Sequence, residues 1–309
     1  MVTNPAVCPA TFKPGCTGYA PRAVKEVFGG RTMPVQFPYE LPPNPGTYHL
    51  KIEKRKYQFT DLPSELTLDV FEEEDRAANE QLSRQLAAQL FQLPVIASAL
   101  TFLQDGRTAL ISRNIPVTGN MLQLAILDGH TPGPDAQYRY SYHGISLLID
   151  KYFPAPIPAK ELLFRMVAVH YLLGNGEAHL RTFQFVEDRG ENDFSMAPLS
   201  SVCNTALHGD AADLALLDGL YLRDFEKISF KTLGFYGYDD IYQFGLRMNL
   251  VNFRVKRFLD LILTQKDEVL DMIVRSYLSD AGKRMYAESF LKRQERLSTS
   301  YSGLYKPVG

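Results

Sequence analysis

The chain is poor in the features that would assign it to a specialised class. It has only three cysteines, Cys8, Cys16 and Cys203, in 309 residues. Three thiols cannot make an even disulfide framework, which points to a reducing compartment. Their spacing with His49 matches no four-ligand zinc pattern, so no structural zinc is expected. Basic charge is not in excess: 33 Lys and Arg stand against 35 Asp and Glu, a net charge of −2. A protein that lives on DNA or on an acidic membrane should show such an excess. Long apolar runs are missing as well. The least polar stretch, Val95 to Leu103, already contains Ser98 and Thr101 and reaches about half of a membrane span. The opening Met1-Val2-Thr3-Asn4-Pro5 has no basic segment followed by an apolar one, as a secretory leader would. The expectation is a cytoplasmic protein with no membrane partner and no direct nucleic-acid partner.

What is present is ordinary for a folded chain: 45% hydrophobic and 22% charged residues, which excludes disorder as a description of the whole. At roughly 150 residues per domain, the length implies two lobes. The first 45 residues are rich in Pro and Gly and read as an irregular arm, closing at Pro42-Pro43-Asn44-Pro45-Gly46. Such a cluster breaks regular structure. Residues 46–117 read as a small α+β lobe. Thr47 to Ile52 is a strand candidate, Arg76 to Phe91 a helix, and Val95 to Leu103 with Thr108 to Ser112 a strand pair. In the helix, Ala78, Leu82, Leu86 and Leu90 recur every four residues.

Helical patterns dominate residues 118–309. Glu161 to Leu173 is apolar on nearly every side, as suits a helix buried in the centre of a lobe. Phe164, Met166 and Tyr171 on it read as core. Thr182 to Glu187 and Asp193 to Met196 are short strand candidates. Val255 to Leu278 reads as one long amphipathic helix or two. Phe235-Tyr236-Gly237-Tyr238 is either an exposed docking patch or an inter-helix packing site. The fold class expected is α+β, a small β-rich lobe ahead of a larger helical one, which is the outline of a protein kinase.

Two stretches are more specific: Gly174-Asn175-Gly176-Glu177-Ala178-His179-Leu180-Arg181-Thr182-Phe183 and Ala197-Pro198-Leu199-Ser200-Ser201-Val202-Cys203-Asn204-Thr205. Together they resemble motifs of the HipA-type kinases, serine/threonine kinase toxins of bacterial toxin–antitoxin modules. There the first motif runs Gly-Asn-x-Asp-x-His-x-Lys-Asn-Phe and the second Ala-Pro-x-Tyr-Asp-x-x-Asn-Thr. Gly46-Thr47-Tyr48-His49-Leu50-Lys51 is similar to the family's strand with its ATP-contacting lysine, and Ala78-Asn79-Glu80-Gln81-Leu82 to the helix that follows. The landmarks keep the family's order from residue 8 to about 220. The resemblance implies a two-lobed HipA-like kinase fold with a reduced N-lobe, and ATP and Mg²⁺ as its ligands.

The departures fall on those ligands. Glu177 stands where the family has the Asp that accepts the proton of the attacking hydroxyl. Thr182 and Ser201 stand where it has the Asn and Asp that hold magnesium. Glu177 keeps a carboxylate one methylene further out, and a misplacement of about 1 Å can cost on the order of 100-fold. Ser201 removes a full charge from a site whose ion prefers carboxylate oxygen. The family's phosphate loop has no room between Pro38-Tyr39-Glu40-Leu41 and Gly46, and Leu122-Gln123-Leu124 replaces an acidic pair.

The departures imply a pseudokinase with impaired metal and nucleotide binding. Its function would be to bind a protein, for example a HipA-like subunit or a helix-turn-helix antitoxin. The alternative is a slow or partner-completed ATP-dependent serine/threonine kinase. In that case Glu177 is the base, oriented by His179, and Asp193 or Asp210 is a substitute metal ligand. Lys51 reads either as a nucleotide lysine paired with Glu80 or as a strand-edge lysine. Arg181, at the family's Lys, reads as an anion contact or as a solvated residue.

Overall fold

The computed structural model describes residues 66–103, 106–187 and 193–305, together with the backbone of short strands within the first 65. Those strands are β1 (Val24–Glu26), β2 (Thr32–Met33), β3 (Val35–Gln36), β4 (Tyr48–Lys51) and β5 (Lys56–Phe59). They join β6 (Leu66–Val70), β7 (Ser98–Leu103) and β8 (Thr108–Arg113) in a sheet of order β2-β1-β5-β4-β6-β8-β7-β3. The strands thus begin inside the segment read as an irregular arm. Its cysteines and the expected site of the missing phosphate loop lie outside the described residues.

The pairing of β4 with β6 is parallel, with Leu50 opposite Leu68 and Lys51 opposite Asp69. The β6–β8 and β7–β8 pairings are antiparallel, with Leu68 opposite Ile111 and Leu100 opposite Leu110. Helix α1 (Arg76–Gln89) packs across β7 and β8. Only alternate residues of β8 can face that helix, so the burial of Ala109, Leu110, Ile111 and Ser112 in succession means that the other face of β8 is covered as well.

The expected strand from Val95 is shorter at its start for a reason of pairing. Leu199 donates to the Pro94 carbonyl at 2.8 Å, and its own carbonyl accepts from Ile96 at 3.0 Å. Residues 94–96 therefore bond to the second motif, in the other lobe, and only from Ser98 does the chain enter the sheet.

The larger lobe starts with β9 (Gly119–Asn120) and α2 (Met121–Leu127). Gln123, in the stretch where an acidic pair was expected, closes a capping box with Asn120, while Leu122 and Leu124 are buried. Next come α3 (Tyr142–Tyr152) and α4 (Pro156–Leu172), the latter opening on a proline in its first turn, where the missing N–H costs nothing. Phe164, Met166 and Tyr171 are buried on it, as the all-round apolar pattern demands. Strands β10 (Gln184–Glu187) and β11 (Phe194–Met196) complete a small sheet of order β11-β10-β9.

The carboxy-terminal helices are α5 (Ile228–Leu233), α6 (Tyr238–Arg247), α7 (Asn252–Leu263), α8 (Lys266–Arg275) and α9 (Asp280–Ser298). The long amphipathic pattern is thus two helices, α7 and α8. They part at Thr264, whose hydroxyl bonds back to the carbonyls of Asp260 and Leu261. The aromatic cluster is a packing site. Tyr236 and Tyr238 are buried, Tyr171 donates to the Tyr236 carbonyl at 2.6 Å, and Tyr238 stacks between Tyr242 and Tyr305.

The two lobes are locked through α1. The Asp75 carboxylate before it accepts from the Ser279 amide (2.8 Å) and hydroxyl (2.5 Å), and the Ser83 hydroxyl meets that of Tyr286 at 2.7 Å. The whole is an α+β, two-lobed, kinase-like fold. No helix among the described residues is long and apolar enough to cross a membrane.

Candidate functional site

Helix α4 ends at Gly174, whose φ of +70° suits glycine and whose space is taken by Ser289 and Asn204. The chain leaves that turn directly into the first motif. Asn175 is held under it: its side-chain amide lies 2.8 Å from His170 Nδ1, and its carbonyl oxygen accepts from the Glu177 amide at 3.0 Å. Because Asn175 donates to Nδ1, the proton of neutral His170 sits on Nε2, a buried atom with no hydrogen-bond partner. Burial drives the His170 pKa down to about 3, so the ring stays neutral.

The second motif closes on the first. The Thr205 hydroxyl donates to the Gly174 carbonyl at 3.1 Å and accepts from the Gly176 amide at 2.9 Å. Asn204 is clamped by Asn79 of α1, which accepts from its amide (2.9 Å) and donates to its carbonyl (2.8 Å). Both asparagines are fully buried, so each backbone group spoken for is one that would otherwise be orphaned.

These three elements wall a cleft of about 460 Å³. Glu177, His179, Arg181, Thr182 and Ser201 all line it, joined by Glu73, Arg76, His208 and Asp210. The Glu177 carboxylate accepts from the Tyr138 hydroxyl at 3.1 Å and lies 3.8 Å from His179 Nε2. Burial lowers the His179 pKa, against the opposing pull of Glu177. Burial and then Arg76 do the same to His208. Both rings are therefore neutral near pH 7. The Thr182 hydroxyl is used within the loop: it donates to the Glu177 carbonyl at 2.9 Å and meets His179 Nδ1 at 3.3 Å. Asp210 is held by the Ala212 amide, and a Cβ on Gly176 would lie 2.5 Å from its carboxylate. Asp193, the other substitute metal ligand considered, is not among the residues that line the cleft.

Glu80 is placed differently. It is buried on α1 and ion-paired with Arg84 at 2.7 Å; Arg84 also donates to the Ser112 hydroxyl at 2.7 Å and to the Ser200 carbonyl. Lys51 sits at the end of β4, but its side chain lies outside the described residues, and so does its expected pairing with Glu80. Cys203 is buried, and burial pushes its thiol up to about 12, so it is inert. No cluster of metal-ligating side chains occurs among the described residues.

Tyr138, Arg76 and His208 were not picked out from the sequence. Tyr138 lies in Tyr138-Arg139-Tyr140-Ser141-Tyr142, whose period-two alternation imitates a strand although the segment is turn leading into α3, and His208 sits in a short 3-10 turn, Thr205–His208. The second motif, which ends at Thr205, is the nearby signal that would have found His208.

No protein-family model matches the sequence, and no curated protein matches it. Solved structures do match its fold. The HipA of Shewanella oneidensis MR-1, solved with HipB and its operator DNA, aligns with a TM-score of 0.57 at 15% identity, over 81% of this chain. The Helicobacter pylori proinflammatory kinase CtkA aligns with a TM-score of 0.50 at 13% identity, covering 77% of this chain and 90% of its own. The chain spans 62% of the HipA chain's length. Its fold is a HipA-like kinase fold.

Proposed function

We propose that this HipA-like kinase-fold protein is a pseudokinase that acts by binding a protein partner in a toxin–antitoxin-type module. One observation carries the reading. The two positions where the resemblance expects magnesium ligands, Thr182 and Ser201, line the cleft as neutral hydroxyl groups, and the Thr182 hydroxyl is already bonded inside its own loop. Phosphoryl transfer depends on positioning and on metal charge, and both are weakened together. The solved HipA in complex with HipB and its operator DNA supports a protein partner, for which a HipA-like subunit or a helix-turn-helix antitoxin is the class proposed.

A second reading, a slow ATP-dependent serine/threonine kinase, is favoured by a different observation. The half-exposed Glu177 carboxylate and Asp210 face one cleft, a base and a candidate metal ligand. ATP binding measured by thermal shift and calorimetry, with and without Mg²⁺, separates the two. A ligand at 100 times its dissociation constant stabilises by about 2.7 kcal/mol. The pseudokinase gives no Mg²⁺-dependent shift. A clear one, followed by phosphate transfer to a protein serine that Glu177→Gln abolishes, overturns the proposal.

A further inference from the structure

A second groove lies away from the cleft, between α4 and the start of α7, with a volume of about 460 Å³. Arg165, Arg254 and Arg257 line it against the single acid Glu161, beside Phe253 and Phe258. It is a basic, aromatic site on a chain whose net charge is −2.

The three arginines differ in readiness. Arg165 is pinned: it donates to the carbonyls of Phe91 (3.3 Å) and Gln92, and its guanidinium stacks 4.9 Å above the Phe258 ring. Such a group loses little freedom when it meets a ligand. Arg254 is held only by Glu161, at 2.5 Å, in an ion pair whose arginine side chain is 62% exposed. Pairs of that kind contribute little and exchange readily. Arg257 is exposed and has no ion-pair or hydrogen-bond partner among the described residues.

The start of α7 breaks three local rules at once. Its N-cap, Val251, offers no side-chain cap, and its first turn holds no acid. It carries Arg254 in that first turn, where the helix dipole favours negative charge, and Lys256 and Arg257 in the next turn. Phe253 in that first turn is 69% exposed. Glu161 offsets Arg254 alone, and local rules broken together are expected at functional surfaces.

We propose that this groove docks an acidic peptide segment of a partner protein. The partner's carboxylates pair with Arg257 and Arg254, and an adjacent apolar side chain covers Phe253. Glu161 on the wall and the absence of a basic stripe disfavour a nucleic-acid backbone, which wants charge spread along a face. A carboxylate next to an apolar anchor matches both halves of the groove. The proposal does not depend on whether the cleft is catalytic.

The test is fluorescence anisotropy with a panel of short labelled peptides bearing Asp and Glu around Leu or Phe. Lysine-for-acid counterparts and a DNA duplex are run alongside. Acidic peptides should bind, and their lysine counterparts should not. Arg257→Glu should weaken binding by about tenfold or more, the scale of one lost charge-assisted bond. Phe253→Ser should weaken it to a similar degree, and Arg284→Glu, on the exposed face of α9, should leave it unchanged. Every variant changes an exposed side chain, and an unaltered thermal melt confirms its fold. The proposal is overturned if no acidic peptide binds in an Arg257-dependent way, or if Arg284→Glu weakens binding equally. Arg257-dependent binding of the duplex in preference to the peptides also overturns it.

Discussion

Helix α1 and the first motif loop face each other across the cleft and have fared differently. On α1 the polar residues Asn79, Glu80, Ser83 and Arg84 are buried; Asn79, Ser83 and Arg84 bond to distant parts of the chain, and Glu80 pairs with Arg84 within the helix. On the loop, the positions that the resemblance assigns to metal carry Thr182 and, across the cleft, Ser201. The polar groups that build the cleft are intact, and those expected to load it are altered. Buried polar groups are costly to disturb because an orphaned partner is left behind, whereas exposed ligands can change with little effect on stability. The frame of a cleft can therefore stay fixed while the residues that line it differ.

The comparison is broken most sharply at Arg84. Arg84→Met leaves Glu80 as a buried charge without its partner, and chemical denaturation should show a loss of about 3–5 kcal/mol. The double variant Arg84→Met with Glu80→Met should recover most of it. A single variant as stable as the parent would show that Glu80 pairs elsewhere. Asn79→Leu should cost about 2–3 kcal/mol by orphaning the Asn204 amide and carbonyl. Ser201→Ala, on the other wall, should fall within about 0.5 kcal/mol of the parent.

Acid should weaken the fold through its histidines. The folded pKa values of His170, His179 and His208 lie below the ordinary 6.5, so the unfolded chain binds protons first. Their contribution is complete above about pH 6.5 and is lost as pH falls through the window below it. Each histidine adds a slope of up to about 1.4 kcal/mol per pH unit. For His170 that window extends to about pH 3, and His170→Phe should flatten the stability profile measured between pH 7 and 5. A smaller effect than those at Arg84 and Asn79 is expected at Gly176. An added Cβ needs the Asp210 carboxylate to move, and Gly176→Ala should cost about 1 kcal/mol.

Much of this was legible in the sequence, and the reasons differ by element. The all-round apolar run of α4 and the fourfold period of α1 gave their positions, since both report burial directly. The start of the strand expected from Val95 misled because the flanking Pro94 carbonyl and Ile96 amide bond to Leu199, more than a hundred residues away, and no local pattern encodes a distant partner. The motif residues Glu177, His179, Arg181, Thr182 and Ser201 were readable by their order, and the fold brings them to one cleft. Tyr138 and Arg76 reach that cleft only because loops and helix ends converge there. The resemblance offers Glu80 as a partner of Lys51, while its observed partner, Arg84, lies one helical turn on.

The bonds from α1 to the second motif and to α9 have a consequence for motion. Segments joined by buried hydrogen bonds open together, so the sheet lobe and the helical lobe share one cooperative unit at their junction. Amide hydrogen exchange at Asn79, Asn204 and Tyr286 should then report a single opening free energy. One opening free energy shared by all three would mean that the junction between the lobes moves with the core.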